Sequence, residues 1–506
     1  MRMDAPMESS ASPRKPILPG MRILPSELYT AKALPMFLGK YDMTATYIIM
    51  LFNITIAAQI VAGGTAGISY LIIGGLAFFF PCAIVTTQLA AMFPHEGALY
   101  NWTHKALGGY WSFFSGFCAW LSGALIITAG PNLMVAYIQA MNPHWLSEPW
   151  QQGVAMIAFL IFGSFLARQR FRMVQYIVNG MTAIYLLSIP LIGISLVVWF
   201  LKGHPSATNF GNLSDWAVSP ANFVLFGSAT FAYLSTEVPL ILGGEMKRER
   251  KVISFHLFWG TLVVFVSYLI AAFAMLIIEG PNSANLGLFT PVAAVEAVFG
   301  KFVGNIEAIF IMCYFFIIPT TFNYIFSRLL FAGAVDQHLP IGLGKLNKNR
   351  VPARAINFQT ILAVAFVALA FIVLPYATRI SRPADFALEA YNVVTAAATL
   401  IWAISVSFMF IDVVFCYIRD KQGFQKVRLF PMPLLWISCL LGTLSCGAGI
   451  VTTLGYSWTP LISNGQWWYI VGGLTIICLI IAAVGGMLAN SEARWEGDKR
   501  EIGFDS

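Results

Sequence analysis

A carboxylate and a proline interrupt one of the most apolar stretches of the chain, in the segment FAYLSTEVPL at residues 231–240. Glu237 lies about two helical turns, roughly 12 Å, before Glu245, where a charged loop begins. A carboxylate at this depth in hydrocarbon costs several kcal/mol unless it faces a polar partner or a cavity. Pro239 has no N–H group, so the carbonyl of Ser235 loses its helical donor. These features predict a helix that is broken just before the glutamate.

Backbone groups left unpaired at membrane depth are tolerated only where they line a cavity, as at the binding sites of secondary transporters. We therefore predict that the break forms part of a substrate site and that Glu237 serves gating or coupling. The alternative is a proline kink in which Glu237 bonds to a neighbouring helix. The residues assigned to the break are Tyr233, Leu234, Ser235 and Thr236.

Polar side chains also lie in the middle of the first apolar segment, ATYIIMLFNITIAAQIVAGG at residues 45–64. Asn53 and Thr55 are at its centre, and an asparagine in hydrocarbon is unfavourable unless it forms hydrogen bonds. Their position predicts a second interrupted helix that shares the substrate site with residues 233–236. The alternative is that Asn53 only holds two helices together.

Hydroxyl groups cluster in the eighth apolar segment, within PTTFNYIFSRLLFAGA at residues 319–334. Thr320 and Thr321 lie near mid-span, where their hydroxyls could coordinate a coupling cation beside carbonyls of the first span. The more common arrangement is that each hydroxyl bonds to the carbonyl four residues earlier in its own helix. Arg328 is nearer the inner end, and we expect its long side chain to reach the membrane interface.

The composition shows which elements must position these residues. Of the 506 residues, 58% are hydrophobic and only 10% are charged, too little charge to cover a soluble protein of this size. Runs of about 20 apolar residues are typical of transmembrane helices, and here they do not alternate as β-barrel strands do. We predict an all-α integral membrane protein with twelve spans. They cover residues 43–65, 67–93, 110–141, 151–168, 172–201, 220–244, 252–279, 302–335, 354–375, 386–416, 431–454 and 466–489.

The distribution of positive charge predicts the orientation of the spans. With the N-terminus inside, 26 of the 30 lysines and arginines fall on the inner side and 4 on the outer side. This bias predicts a plasma membrane protein with both termini in the cytoplasm. The two interrupted spans are five apart, which indicates an inverted repeat. The predicted units are a cytoplasmic tail (1–42), repeat one with spans 1–5 (43–201), repeat two with spans 6–10 (220–416), accessory spans 11–12 (431–489) and a cytoplasmic tail (490–506).

Two inner loops mix aromatic or leucine residues with basic ones, at residues 93–109 and 337–354. Such segments suit the lipid headgroup layer, although they serve equally well as connectors on the inner face. We expect the protein to contact membrane lipid in either case.

The chain lacks the signatures of enzymes and of metal or nucleic-acid binding. It contains no Walker loop, no HExxH motif and no CxxC among its seven cysteines. Glu237 is the only acid that we expect deep in a span, whereas a membrane enzyme needs several convergent groups. The net charge of +7 reflects loop charge and not a nucleic-acid surface. We therefore expect no enzyme activity, no metal and no cofactor beyond a coupling proton or sodium ion.

Three stretches resemble the amino acid–polyamine–organocation transporters. The stretch AGGTAGISYLIIGGLAFFFPCAIVTTQLAAMFPHEGALYNWTHKALGGYWSFFSGFCAW (62–120) is similar to the family's second span, inner loop and third-span start. FAYLSTEVPLILGGEMKRERKVI (231–253) is similar to its sixth span. NYIFSRLLFAGAVDQHLPIGLGKLNKNRVPARAI (323–356) is the most specific and is similar to its eighth span and following loop. The order and spacing match over roughly residues 40–420.

The resemblance implies a LeuT-type fold with a five-plus-five inverted repeat, two accessory helices and transport by alternating access. It implies that a substrate carboxylate meets backbone N–H groups of the span-one break, at Asn53, Ile54 and Thr55. It also implies that a substrate amine meets carbonyls of the span-six break. Glu237 matches the family's span-six glutamate, which couples that break to the gate.

The chain departs from the family at both breaks. The usual Gly-Ser-Gly-like sequence of span one is replaced by Asn53, Ile54 and Thr55, which have less backbone freedom. Ser235 stands where glycine is usual. We predict a secondary transporter of amino acids or related small amines. The alternatives are a carrier of polyamine, choline-like or amino-alcohol substrates, and a non-transporting transceptor or channel on the same fold; the sequence predicts no oligomeric state.

Overall fold

The computed structural model describes residues 24–142, 144–247, 250–375, 386–459 and 461–503, with side-chain environments as far as Ala489. Residues 1–23 and 504–506 of the predicted tails lie outside the described residues. Two of the outer charges used to predict the orientation, Arg379 and Arg382, lie outside them as well.

All twelve predicted spans are confirmed. The regular structure of the described residues is helical, apart from a single parallel bridge between Leu38 and Met246. Each helix is long and apolar enough to cross a membrane, and its ends lie within a few residues of the predicted ones. The spans are Lys40–Val61, Thr65–Met92, Gly109–Met141, Pro149–Ala167, Phe171–Leu201, Val224–Leu242, Lys251–Ile278, Lys301–Val335, Ala353–Val373, Glu389–Arg419, Met432–Gly455 and Asn464–Ala489. The longer helices outside the spans are Pro25–Ala33, Leu99–Leu107, Thr290–Phe299 and Lys421–Val427.

Spans one and six form the centre of the bundle. In each, 83% of the apolar stretch is buried within the protein, compared with 28% in span five and 33% in span twelve. Span three packs along spans eight and ten, which makes it the main support on one side of the centre. The least buried spans present leucine, isoleucine and phenylalanine outward, as the apolar solvent of a bilayer requires.

The loop between spans two and three does not lie on the surface. Most residues of its helix, Leu99–Leu107, are buried within the protein. Asn101 donates a hydrogen bond to Glu27 at 3.0 Å, and the Thr103 hydroxyl donates to Asp412 at 2.7 Å. These contacts favour the second reading, in which the segment is a connector that packs against the rest of the protein. Its polar residues contact partners that are distant in sequence, which its amphipathic pattern did not reveal.

Candidate substrate site

Span one is interrupted at its middle. The helix Lys40–Leu51 ends, Phe52 and Asn53 have extended backbones, and a second helix begins at Ile54. The Asn53 Oδ1 atom accepts hydrogen bonds from the Thr55 N–H at 3.1 Å and from the Thr55 hydroxyl at 2.7 Å. An asparagine at this position caps the new helix, so the chain restarts there without a glycine.

Two tyrosine hydroxyls satisfy the backbone groups that the span-one break would otherwise leave unpaired. Tyr268 in span seven accepts from the N–H of Asn53 at 3.1 Å and donates to the carbonyl of Leu51 at 2.9 Å. Tyr185 in span five accepts from the N–H of Ile54 at 2.9 Å and donates to the carbonyl two residues earlier at 3.3 Å. The amides expected to hold a carboxylate therefore already have partners within the protein.

Span six is interrupted by an unusual backbone conformation. The helix Val224–Tyr233 ends, Leu234 is extended, and Ser235 has φ +92° before a 3₁₀ turn follows at Val238–Leu242. Side chains other than glycine rarely adopt positive φ, because the Cβ atom crowds the backbone. This conformation explains why glycine suits the position, and it places local strain in the break.

The span-six break leaves acceptors without donors. In the described part of the chain, no hydrogen bond reaches the carbonyl oxygens of Ala232, Tyr233 and Leu234. These groups lie between Phe231 and Ser235, two residues that line an internal cavity. The break therefore supplies unpaired acceptors next to that cavity.

Glu237 follows the span-six break and is 2% exposed. Its carboxylate accepts a hydrogen bond from the indole N–H of Trp402 in span ten at 2.8 Å. Trp402 itself lines the cavity. A single side chain thus connects the glutamate to the wall of the cavity.

The cavity between the two breaks is small and uncharged, with a volume of about 40 Å³. Asn53 and Ser235 contribute polar atoms to it, and none of its lining residues is Lys, Arg, His, Asp or Glu. Ligand sites usually enclose about 300–1,000 Å³, so the helices must separate to admit a substrate. The aromatic lining residues are Phe231, Tyr314, Phe315, Phe322, Tyr391 and Trp402.

The chain matches the model of a known protein family. The model of the amino acid permease family matches residues 41–484. The chain belongs to the amino acid permease family. It is 30% identical to the polyamine transporter PUT1 of Oryza sativa, over 41% of this chain and 38% of that protein. It is 28% identical to the serine/threonine exchanger SteT of Bacillus subtilis, over 56% of this chain and 64% of that protein.

A solved structure confirms the fold class of this permease. The manganese transporter from Eremococcus coleocola superposes with a TM-score of 0.57 at 12% identity, covering 90% of this chain and 94% of that one. At this identity the likeness shows the fold alone. Together, the family assignment and the twelve spans show a multi-pass membrane transporter of the predicted all-α type.

Of the residues predicted to bind substrate, only Asn53 and Ser235 line the cavity of the permease. Tyr233 instead donates to the carbonyl of Leu71 at 3.1 Å, and its ring stacks on Phe79 with centroids 4.7 Å apart. The remaining predicted binding residues are buried beside the breaks without lining the cavity: Ile54, Thr55, Leu234 and Thr236. Tyr185 and Tyr268 were missed, because an aromatic residue within a span usually serves packing.

The span-eight threonines do not line the cavity either. The Thr321 hydroxyl donates to the carbonyl of Ile317 at 3.0 Å, which is the arrangement weighed above as the more common one. Thr320 is buried where its backbone approaches Gly163 of span four. The buried Thr320 hydroxyl has no hydrogen-bond partner among the described residues, and the cation role stays a prediction.

Two expectations about charged groups within the spans are wrong. Glu307 and Asp412 are fully buried in spans eight and ten, so the glutamate of span six is not the only deep acid. Arg328 does not reach the interface; it is fully buried, 2.7 Å from Glu245 and 3.5 Å from Glu96. The partners that make this burial tolerable come from other segments, which the local sequence does not show.

The N-terminal segment of the permease packs against one end of the helix bundle. Both the N–H and the hydroxyl of Ser26 donate to the carboxylate of Asp336, at 2.7 and 2.8 Å. Burial raises the pKa of Asp336 to about 6, although the bonds from Ser26 oppose this shift. Further along the segment, the N–H groups of Phe37 and Leu38 donate to the carbonyl of Glu245 at 3.0 and 3.1 Å. These contacts join the segment to the ends of spans six and eight.

Proposed function

We propose that this permease is a secondary active transporter that recognises the amine group of a small substrate between the breaks of spans one and six. The observation that carries the proposal is the asymmetry of the two breaks. The carbonyls of Ala232, Tyr233 and Leu234 lack donors among the described residues, whereas the amides of Asn53 and Ile54 already have acceptors. An ammonium group supplies only donors, so it matches the span-six break and not the span-one break.

The composition of the cavity supports the same reading. Its wall is rich in aromatic rings, and an ammonium group is attracted to the face of such rings. No cationic side chain lines it to pair with a substrate carboxylate. Glu237 supplies a carboxylate one hydrogen bond away, through Trp402. A relative named as a polyamine transporter is consistent with this choice.

Amino acids are the second candidate substrates. The family and the relative named as a serine/threonine exchanger favour them. Carboxylate binding at span one would require Tyr185 or Tyr268 to release a backbone amide when the substrate enters. Because a cavity of about 40 Å³ is too small to be a continuous open pore, a carrier with saturable kinetics is better supported than an open channel.

We propose that transport proceeds by alternating access. The break at Phe52–Asn53 separates the inner half-helix Lys40–Leu51 from the outer half, so the inner half can tilt as a unit. Opening to the inside would require release of the Ser26–Asp336 contacts. The bias of positive charge supports a plasma membrane orientation with both termini in the cytoplasm. The units that move during this cycle are the two predicted repeats, residues 43–201 and 220–416.

Counterflow into liposomes that contain the purified full chain tests the proposal. The panel consists of matched pairs that differ by one carboxylate: putrescine and ornithine, and ethanolamine and serine. We expect saturable exchange, with a higher kcat/KM for the compound of each pair that lacks the carboxylate, putrescine or ethanolamine. A preference for ornithine and serine would establish the second candidate. Absence of exchange for every compound would refute the transport proposal, and imposed proton and sodium gradients would assign the coupling ion.

A further inference from the structure

A second and much larger cavity opens on the membrane-facing side of the permease. This groove encloses about 1140 Å³ and shares no lining residue with the cavity between the breaks. Its walls come from the inner halves of spans one, two and seven and from the loop before span eleven. It is therefore a feature separate from the substrate site.

The mouth of the groove is positively charged. Lys40, Lys247 and Lys251 line it, all three are exposed, and none forms a salt bridge with a described acid. Asp42 is the acid among the lining residues, but its carboxylate accepts hydrogen bonds from a backbone N–H at 3.0 Å and from Asn179 at 2.8 Å. Among the described residues the three ammonium groups have no acidic partner, so they are available to attract an anion.

The body of the groove is apolar and has the depth of one lipid leaflet. Phe80 and Ile84 of span two face Leu257 and Leu262 of span seven across it. The twelve residues from Lys251 to Leu262 rise about 16 Å along the helix. That length is half of the roughly 30 Å hydrocarbon core of a bilayer. The groove therefore joins a cationic entrance to a wall as long as an acyl chain.

We propose that this groove binds an anionic phospholipid of the inner leaflet, with its phosphate at the three lysines and an acyl chain along spans two and seven. Basic pockets between spans on the cytoplasmic side suit such headgroups. The Nζ atom of Lys40 is 4.7 Å from the ring centroid of Phe255 and 5.0 Å from that of Tyr41, which holds this ammonium group at the entrance. A free phosphate would use only the mouth and would leave the apolar body unfilled.

Native mass spectrometry of the purified full chain tests the assignment. The protein in neutral detergent is mixed with equal amounts of phosphatidylglycerol and phosphatidylcholine, and the retained lipid is counted. We expect about a tenfold preference for phosphatidylglycerol. The triple variant Lys40→Gln, Lys247→Gln and Lys251→Gln should lose most of it.

A matched control removes the same charge from the same face. Lys345, Lys348 and Lys426 are exposed on predicted inner loops and do not line the groove. Their triple replacement by glutamine should leave the preference unchanged. Equal loss in both triple variants would mean that only the overall charge matters, and would overturn the site. Equal retention of the two lipids by the wild type would overturn it as well.

Two further measurements address the apolar body. Ala83 lines the groove, and Ala83→Leu should lower the retention of both lipids while the melting temperature shows that the variant remains folded. Soluble glycerol 3-phosphate should not displace phosphatidylglycerol, since it lacks the acyl chains. Displacement of phosphatidylglycerol by glycerol 3-phosphate would show a surface anion site and contradict the proposal. Unchanged lipid retention by Ala83→Leu would contradict it as well.

Discussion

The two broken helices, spans one and six, both lie at the centre of the bundle, but their breaks are stabilised in opposite ways. In span one, hydroxyls from spans five and seven pair with the backbone on both sides of Asn53. In span six, three successive carbonyls have no donor in the part of the chain that the structure describes, and Ser235 has a strained backbone with φ +92°. The backbone groups at the span-one break are paired without a ligand, whereas the carbonyls at the span-six break are not.

This difference indicates which end of a substrate the permease recognises. A buried carbonyl without a donor costs about 1–3 kcal/mol, so an incoming ammonium group would recover that energy at span six. A carboxylate at span one would first have to displace Tyr185 or Tyr268 from a bond that already exists. The asymmetry therefore favours amine recognition, and each prediction below changes one side of it.

The largest effect is expected from removing the charge below the span-six break. Glu237→Gln keeps an oxygen that can accept the Trp402 indole bond but removes the negative charge. We expect uptake to fall at least about tenfold, with expression and melting temperature close to wild type. Initial rates of uptake into proteoliposomes measure this decrease.

The matched control for this change is Glu296→Gln, at an exposed glutamate in the helix before span eight. Wild-type uptake by Glu237→Gln would eliminate the gating role. A variant that fails to fold would instead favour the alternative in which Glu237 only joins two helices.

A smaller effect is expected from opening the span-one break. Tyr268→Phe removes the partner of the Asn53 N–H and of the Leu51 carbonyl, which should destabilise the protein by about 1–3 kcal/mol. It should also raise the kcat/KM of the carboxylated member of each substrate pair relative to the amine. Thermal melting and paired uptake assays give the two readouts.

Tyr314→Phe provides the control, since Tyr314 lines the cavity but forms no hydrogen bond with the break in the described structure. An unchanged substrate ratio in Tyr268→Phe would show that the tyrosine does not restrict access to the amide.

The helix cap in span one should have a moderate effect on stability. Asn53→Ala removes the oxygen that accepts from the Thr55 N–H, which should cost about 1 kcal/mol. Asn53→Ser should recover most of this loss, because a serine oxygen can also cap a helix. Identical melting temperatures for the alanine and serine variants would argue against the capping role.

The smallest effect, with the opposite sign, is expected at the strained position of span six. Ser235→Gly should stabilise the protein by about 1 kcal/mol, because glycine adopts positive φ without strain. Ser228→Gly, in the helical part of the same span, should destabilise it by about 0.5–1 kcal/mol. Thermal melting distinguishes the two, and destabilisation by both changes would show that the serine side chain outweighs the strain.

The sequence predicted the twelve spans and both breaks because these depend on local properties. About 20 apolar residues suffice to cross the membrane, and Pro239 removes a helical bond whatever surrounds it. The identity of Asn53 likewise predicted a polar interruption at mid-span. The amphipathic pattern of the loop helix at 99–107 did not show which parts of the protein cover it.

Only the tertiary structure decided how each break is completed. Tyr185 is 131 residues from Ile54 and Tyr268 is 215 residues from Asn53, and neither carries a local signal of its role. Hydrophobic length and proline chemistry act within a segment, so one sequence reveals them. Hydrogen bonds between spans depend on how the helices pack. That packing pairs the backbone amides of the span-one break and leaves carbonyls of the span-six break without donors among the described residues.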